Sequence, residues 1–341
     1  MKLPLLVLVG PTAVGKTALS VAVARRLGAE IISGDSMQVY RGMDIGTAKV
    51  TPEEMAGVPH HLIDIKAPDE PFSVAEFQTR VDAAIREIFC RGRLPMLVGG
   101  TGLYVRSVLQ AYTFTEMEAD PELRVRLAAE EERQGPGHLH RRLQAVDSAA
   151  AAKLHPKDLR RIIRALEVWE TAGVPISETQ TAAESAPRYD DVFLGLTMER
   201  DLLYRRIDQR VDQMLAGGLK EEVLRLLKRY PPHTQSLEAI GYREMVWHLR
   251  GLLTEGEAAE LIRRNTRRFA KRQFTWFRRD ERIRWFDLTD SAARIAIVEE
   301  IAKLVEGKWP GGVESLSAGV PSHQPTATHQ HNPETERGAV R

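Results

Sequence analysis

The segment Gly10-Pro11-Thr12-Ala13-Val14-Gly15-Lys16-Thr17 constrains the fold more than any other, because of what flanks it. Leu3 to Val9 before it is almost continuously apolar, as a parallel strand buried on both faces must be. After it comes a helical pattern with Leu19, Ala22, Val23 and Leu27 on one face. A strand, a glycine-rich turn and a helix in that order make the phosphate-cradling P-loop pattern. Its glycines let backbone amides converge on a polyphosphate, and the helix amino terminus adds partial positive charge. Lys16 supplies a full charge, and the Thr17 hydroxyl is placed to bind magnesium bridging phosphate oxygens.

The same syntax recurs. Glu30 to Ser33 reads as a second strand, with Asp35 just past its end. A helix opens at Ser73 with Glu76 three residues on, a capping box, buries Phe77, Val81, Ile85 and Ile88, and stops near Gly92. Leu94 to Val98 then delivers Gly99-Gly100-Thr101-Gly102 to another helix. The repetition predicts an α/β fold, a P-loop doubly wound parallel-sheet core with ligands beyond the carboxyl ends of its strands. An inserted helical domain and a helical C-terminal region are expected to complete it. Residues 1–119 and 187–290 are assigned to the core with its C-terminal helices. Residues 120–186 are assigned to the insertion, 291–307 to a last helix, and 308–341 to a disordered tail crowded with Pro, Gly, Ser, Thr and His.

Overall charge excludes little: 48 Lys and Arg face 47 Asp and Glu, so a nucleic-acid signal has to be local. It is found between Arg263 and Arg284. Arg263, Arg264, Arg267, Arg268, Lys271, Arg272, Arg278, Arg279, Arg282 and Arg284 are opposed there only by Asp280 and Glu281. Arg264, Arg268 and Arg272 recur at helical spacing as a phosphate-facing stripe, the alternative being a solvated basic helix. Phe274, Trp276 and Phe277 either stack on bases or belong to the core. Arg160, Arg161 and Arg164 form a smaller cluster. Cys90, the one cysteine, is read on the apolar side of its helix, and it excludes disulfides and cysteine-based zinc sites. Neither the sequence around His60 and His61 nor that around His138 and His140 has zinc-ligand spacing, so no zinc is expected. The lack of an eighteen-residue apolar run and of a cleavable leader points to the cytoplasm and to no membrane.

An NTPase usually ends a hydrophobic strand in an Asp that holds the magnesium shell. Here the best such strand ends in glycines, and the acid at a strand end is Asp35, followed by Ser36, Met37, Gln38 and Tyr40. On local sequence Asp35 is a metal-shell ligand, a general base, or a cap or turn residue.

Several motifs in fixed order resemble the tRNA dimethylallyltransferase family. They are the Gly10–Thr17 loop, Asp35-Ser36-Met37-Gln38-Val39-Tyr40, Gly42 to Lys49, Pro59 to Asp64 and Gly99 to Tyr104. Arg161 to Glu167, Ile240-Gly241-Tyr242-Arg243-Glu244 and Lys271 to Trp276 complete the set, which covers roughly Leu3 to Leu288. The resemblance implies transfer of a dimethylallyl group from dimethylallyl diphosphate to the exocyclic N6 amine of the adenosine 3′-adjacent to the anticodon in tRNA. Magnesium would assist and diphosphate would be released. It implies that the loop holds the prenyl diphosphate, that Asp35 accepts the amine proton, and that Thr101 lies near that amine. Thr101 as a helix cap is the local alternative. It assigns tRNA contacts to Asp35, Ser36, Met37, Gln38, Thr101 and Arg124, and to the Arg160, Arg161, Arg164 cluster. Gly241, Tyr242 and Arg243 and the Arg264, Arg268, Arg272 stripe are expected to join them. For Arg124 the alternative is one charge on an ordinary solvated helix. The chain is expected to act as a monomer. Two competing readings are a small-molecule or nucleotide kinase using Arg205, Arg206 and Arg210 as phosphate clamps, and a non-catalytic RNA-binding protein.

Overall fold

The fold was described from a computed structural model covering residues 2–110, 120–180 and 187–312. Strand β1 (Pro4–Val9) feeds the loop and helix α1 (Lys16–Leu27), followed by β2 (Ala29–Ser33), α2 (Pro52–Met55) and β3 (His60–His61). Next come α3 (Val74–Cys90), β4 (Leu94–Gly99) and α4 (Gly102–Leu109). Helices α5 (Pro121–Gln134), α6 (His138–Val146), α7 (Ser148–Lys153), α8 (Leu159–Ala172) and α9 (Ile176–Gln180) lie before β5 (Asp190–Thr197). The chain ends in α10 (Arg200–Ala216), α11 (Leu219–Leu227), α12 (Tyr242–Leu249), α13 (Glu255–Phe277), β6 (Arg284–Asp287) and α14 (Arg294–Lys308).

Among the described residues one sheet runs β3-β2-β4-β1-β5-β6, with every pairing parallel. All six residues of β1 are buried, which a central strand covered on both faces requires. Leu6 and Leu8 point toward α1 and α14, packing with Leu19, Val23 and Ile301. Leu5, Val7 and Val9 face the other way, onto Phe77, Val81 and Ile85 of α3 and Val105 and Val108 of α4. The expected doubly wound α/β core is therefore present. The two-residue strand β3, paired in parallel with Ile31 and Ile32, is too short to leave a periodic signal.

A third apolar cluster lies above the strand ends. Val39, Tyr40 and Met43 pack there under Leu219, Val223, Leu237, Tyr242 and Met245. A fourth belongs to residues 120–180, where Leu123, Leu127, Leu139, Leu143, Ile162 and Leu166 form their own core.

Several local expectations change. Cys90 is exposed: it is the last residue of α3, beyond the point where that helix's apolar stripe faces the sheet. The Ser73 side chain does accept from the Glu76 amide, but Glu76 turns to Lys66 and Arg80 instead of closing the box. On α1 the buried set is Leu19, Ser20, Val21, Val23 and Ala24, with Ala22 only partly covered, because a helix between sheet and α14 buries a wide face. The tail expected from residue 308 does not begin there. Lys308 closes α14, and Trp309 is buried against the first core cluster with its indole N–H donated to Asp190. Residues 313–341, where the rest of that expectation falls, lie outside the described residues.

Candidate active site

The loop after β1 runs directly into α1. Gly15, at φ +104°, turns the chain into α1 in a conformation that favours glycine. The Lys16 ammonium folds back onto the carbonyls of Gly10 and Pro11 at 3.0 and 2.8 Å. Burial pulls its pKa down to about 8, Arg210 nearby pulls the same way, and Asp35 opposes them. Thr17 is exposed in the first turn of α1, its hydroxyl free to meet a metal or phosphate. Arg206 lies against Gly15, and Arg210, its own pKa lowered by burial, completes a cationic rim.

Asp35 reaches the same place from β2. The Gly34 amide donates to Val98 O at 2.7 Å, and a Cβ on Gly99 would sit 2.5 Å from Gly34 O. Glycine at both positions lets the β2 and β4 ends touch, so Asp35 and Thr101 leave the sheet side by side. One Asp35 carboxylate oxygen accepts the Met37 amide at 2.8 Å, an Asx turn. The second has no hydrogen-bond partner among the described residues. The turn reading thus accounts for one oxygen of the carboxylate. Thr101 stands at the cap position of α4, yet its hydroxyl makes no capping hydrogen bond. Thr101 thus holds the cap position that the local alternative expects, without the hydroxyl bond that would make it a side-chain cap.

Thr12, Asp35, Ser36, Met37, Thr101, Arg210, Gly241, Tyr242 and Arg272 line one cavity of about 320 Å³. Its remaining walls include Ile207, Val211, Met214, Ile240, Ile262 and Phe269, so a charged end passes into an apolar one. A wider recess of about 450 Å³ lies against Val105, Arg106, Phe193, Trp276 and Arg282, away from the phosphate loop. The smaller cavity is the better candidate because Thr12 of the loop, Asp35, Thr101 and Arg210 converge on it.

The expected RNA contacts divide. Gln38 bonds Ser33 and the carbonyls of Thr47 and Ala48, which braces the loop beneath the cavity wall. Tyr242 is wholly buried and donates its hydroxyl to Glu222 at 2.6 Å, so as it stands it is a cavity wall, not an exposed contact. Arg243 pairs with buried Glu244 and lies over the Trp247 ring. Arg124 grips fully buried Glu167 through two 2.9 Å bonds, and Arg164 joins it at 2.6 Å. Arg160 and Arg161 are exposed on that surface.

On α13 the cations sort by face. Arg263 pairs with Asp212 and Glu260, and Arg267 with Asp208. Arg264, Arg268 and Arg272 are exposed, and no carboxylate partner exists for them among the described residues. Phe277 is buried and Phe274 and Trp276 are partly so, which favours the core reading of these aromatics.

Two groups at the site carry no sequence signal for this role. Gln273 hydrogen-bonds both the phosphate loop and the Gly100 carbonyl. Glu222, 1% exposed, accepts from the amides of Asp44, Ile45 and Gly46 and from Tyr242, fixing the wall at Gly46–Ala48. Both lie inside recognisable motifs or amphipathic helices, but their partners are far away along the chain.

Comparison with known proteins shows the family. The family model described as IPP transferase matches residues 38–280. A tRNA dimethylallyltransferase of Symbiobacterium thermophilum is 71% identical over 310 residues, spanning 91% of this chain and 97% of its own. One from Bacillus subtilis is 50% identical over 307 residues, 90% of this chain and 98% of its own. The crystal structure of a full-length tRNA isopentenylpyrophosphate transferase from Bacillus halodurans superposes with TM-score 0.67 at 50% identity, covering 90% of this chain and 98% of the other. A eukaryotic dimethylallyltransferase acting on tRNA gives 0.73 at 29% identity, over 88% and 80%. The chain belongs to the IPP transferase family.

Proposed function

We propose that this enzyme transfers a dimethylallyl group from dimethylallyl diphosphate to the N6 amine of the adenosine 3′-adjacent to the anticodon in tRNA, releasing diphosphate. The observation that carries the reading is that Thr12 of the loop, Asp35, Thr101, Arg210 and apolar side chains line one cavity, with Lys16 near enough to Asp35 and Arg210 to feel both charges. A diphosphate suits the loop amides, Lys16 and Arg210, and a five-carbon allyl tail suits Ile207, Val211 and Ile262. A nucleoside kinase would need polar groups for a base where these apolar side chains stand. Arg206 and Arg210 serve a diphosphate as well as they would serve a nucleotide, so they do not favour the kinase.

The exocyclic amine is a weak nucleophile because its lone pair is delocalised into the ring. As the nitrogen–carbon bond forms, the carbon–oxygen bond to diphosphate breaks and its electrons leave with the diphosphate. The free Asp35 oxygen accepts the proton that the nitrogen sheds. Negative charge gathering on the leaving group is met by Lys16, Arg210 and the α1 amino terminus. The target base has to leave its stack to reach Asp35. Thr101 is placed to hold the amine, and Ser36 and Met37 to flank the nucleotide. Among the described residues no three His, Cys, Asp or Glu side chains cluster as a metal site. Magnesium would therefore be held by Thr17 and the substrate's own oxygens, a ligand set normal for that ion, and would offset diphosphate charge. No described helix is long and apolar enough to cross a membrane. With tRNA as the proposed substrate the enzyme would act in the cytoplasm, and we propose that it acts as a monomer.

Asp35→Asn tests the chemistry. It keeps the Met37 bond but cannot take a proton, so single-turnover transfer should fall by a factor of about 10²–10⁴ with substrate affinity nearly unchanged. If added magnesium restored a near wild-type rate, Asp35 would be a metal-shell ligand and the base assignment would be wrong.

A further inference from the structure

We infer that Gln273 is a positioning residue that couples tRNA binding on the outer face of α13 to the geometry of the phosphate loop and of Thr101; the inference rests on the function proposed above. Gln273 is 7% exposed, and its side-chain amide is used at both ends. Its oxygen accepts the Thr12 amide at 2.9 Å, and its nitrogen donates to the Gly100 carbonyl at 2.9 Å. The orientation cannot be reversed, because a backbone N–H needs an acceptor and a carbonyl needs a donor. One amide thus spans the gap between the substrate's phosphate cradle and the turn that presents Thr101.

The turn is shaped to receive it. A Cβ on Gly100 would overlap the Gln273 amide nitrogen, and one on Gly102 would overlap the Trp276 ring. Gln273 and Trp276 stand three residues apart on α13, on one face of the helix. The glycines on either side of Thr101 therefore admit α13; they are not a second phosphate loop. The opposite side of the same helix carries exposed Arg264 and Arg268, and exposed Arg272, next to Gln273 along the chain, links that side to the cavity it borders. Any shift of α13 as those arginines draw in RNA phosphates moves Gln273 as well. Thr12 and Gly100 then move with it, without a contact between RNA and the phosphate loop.

The test is a binding cycle with inorganic diphosphate plus magnesium and an unmodified anticodon stem–loop, on wild type and Gln273→Met. Methionine keeps the volume and removes both hydrogen bonds. In wild type each ligand should tighten the other by about fivefold or more. In the variant each should bind alone with wild-type affinity while the coupling falls to near unity. Single-turnover transfer with both substrates saturating should drop by roughly 10–100-fold, as misplacement predicts, while tRNA affinity in the presence of the second substrate weakens only by the lost coupling, about fivefold. If the variant fails to fold, amide exchange in the wild-type loop peptide containing Thr12 decides. RNA should protect it, and an unchanged rate overturns the inference. Full coupling in Gln273→Met, or none in wild type that binds both ligands, also overturns it and leaves the proposed function standing. A wild-type chain that binds no tRNA ends that function and the inference with it.

Discussion

Lys16 is held in a state the fold does not favour. Its ammonium is buried against two carbonyls and beside Arg210, and its pKa is about 8 against an ordinary value of 10.5. Since the unfolded chain holds this proton more tightly, the protonated lysine lowers stability at neutral pH. That penalty is relieved as pH rises from about 8 to 10.5. Lys16→Met is therefore expected to raise thermal stability, by on the order of 1–3 kcal/mol at pH 7, while transfer is lost. A melting point below wild type would contradict this. A bound diphosphate would keep the lysine protonated, so kcat/KM for dimethylallyl diphosphate should fall as pH passes about 8 in wild type. Asp35 divides its side chain in another way: one oxygen is used in a turn, and the other has no hydrogen-bond partner among the described residues, on a residue that lines the cavity.

Helix α13 carries two kinds of information on two faces. Its outward arginines make a distributed electrostatic surface, and each arginine–phosphate pair removed should lower the salt dependence of binding. Neutralising Arg264, Arg268 and Arg272 together should weaken tRNA binding and reduce the slope of log affinity against log salt by about one unit per pair. Affinity for diphosphate alone should barely move, and an unaltered slope would return this helix to the solvated-surface reading. The outward face is legible in the sequence because charge spacing is local. So are the strand before Gly10, the helix after Thr17 and the strand ending at Gly99, each set by its own periodicity. The inward face is not legible. Gln273 meets Thr12 across 261 residues of chain, and nothing near Gln273 announces that partner. Glu222 reads as one more charge on an amphipathic helix until Gly46 and Tyr242 are brought to it. Trp309 reads as tail from its Pro- and Gly-rich neighbours, whereas its indole is claimed by Asp190 on β5. Composition reports what surrounds a residue in sequence, and burial depends on what surrounds it in space.

In the whole molecule, residues 120–180 hold together around their own small core and the fully buried carboxylate of Glu167. Burial raises the Glu167 pKa, but Arg124, Arg164 and the Asp120 amide outweigh it and hold the carboxyl below its usual value. The stability this contributes is present above the ordinary glutamate pKa and is lost as pH falls through the depressed one. Glu167→Ala should destabilise this unit by about 3 kcal/mol, the low end for a broken buried pair because both arginines keep contact with water. Diphosphate binding at the loop should survive and tRNA transfer should fail; a variant that loses diphosphate affinity equally would show that the unit is not separable from the core. The central claim is that the loop, Asp35 and the basic helix serve one reaction. The most direct measurement incubates the chain with unmodified tRNA, magnesium and dimethylallyl diphosphate labelled in its carbon tail, then locates the label by nuclease digestion, with ATP turnover followed in parallel. Label on the adenosine beside the anticodon, with ATP untouched, is the predicted result; ATP consumption with no label in the RNA would contradict it.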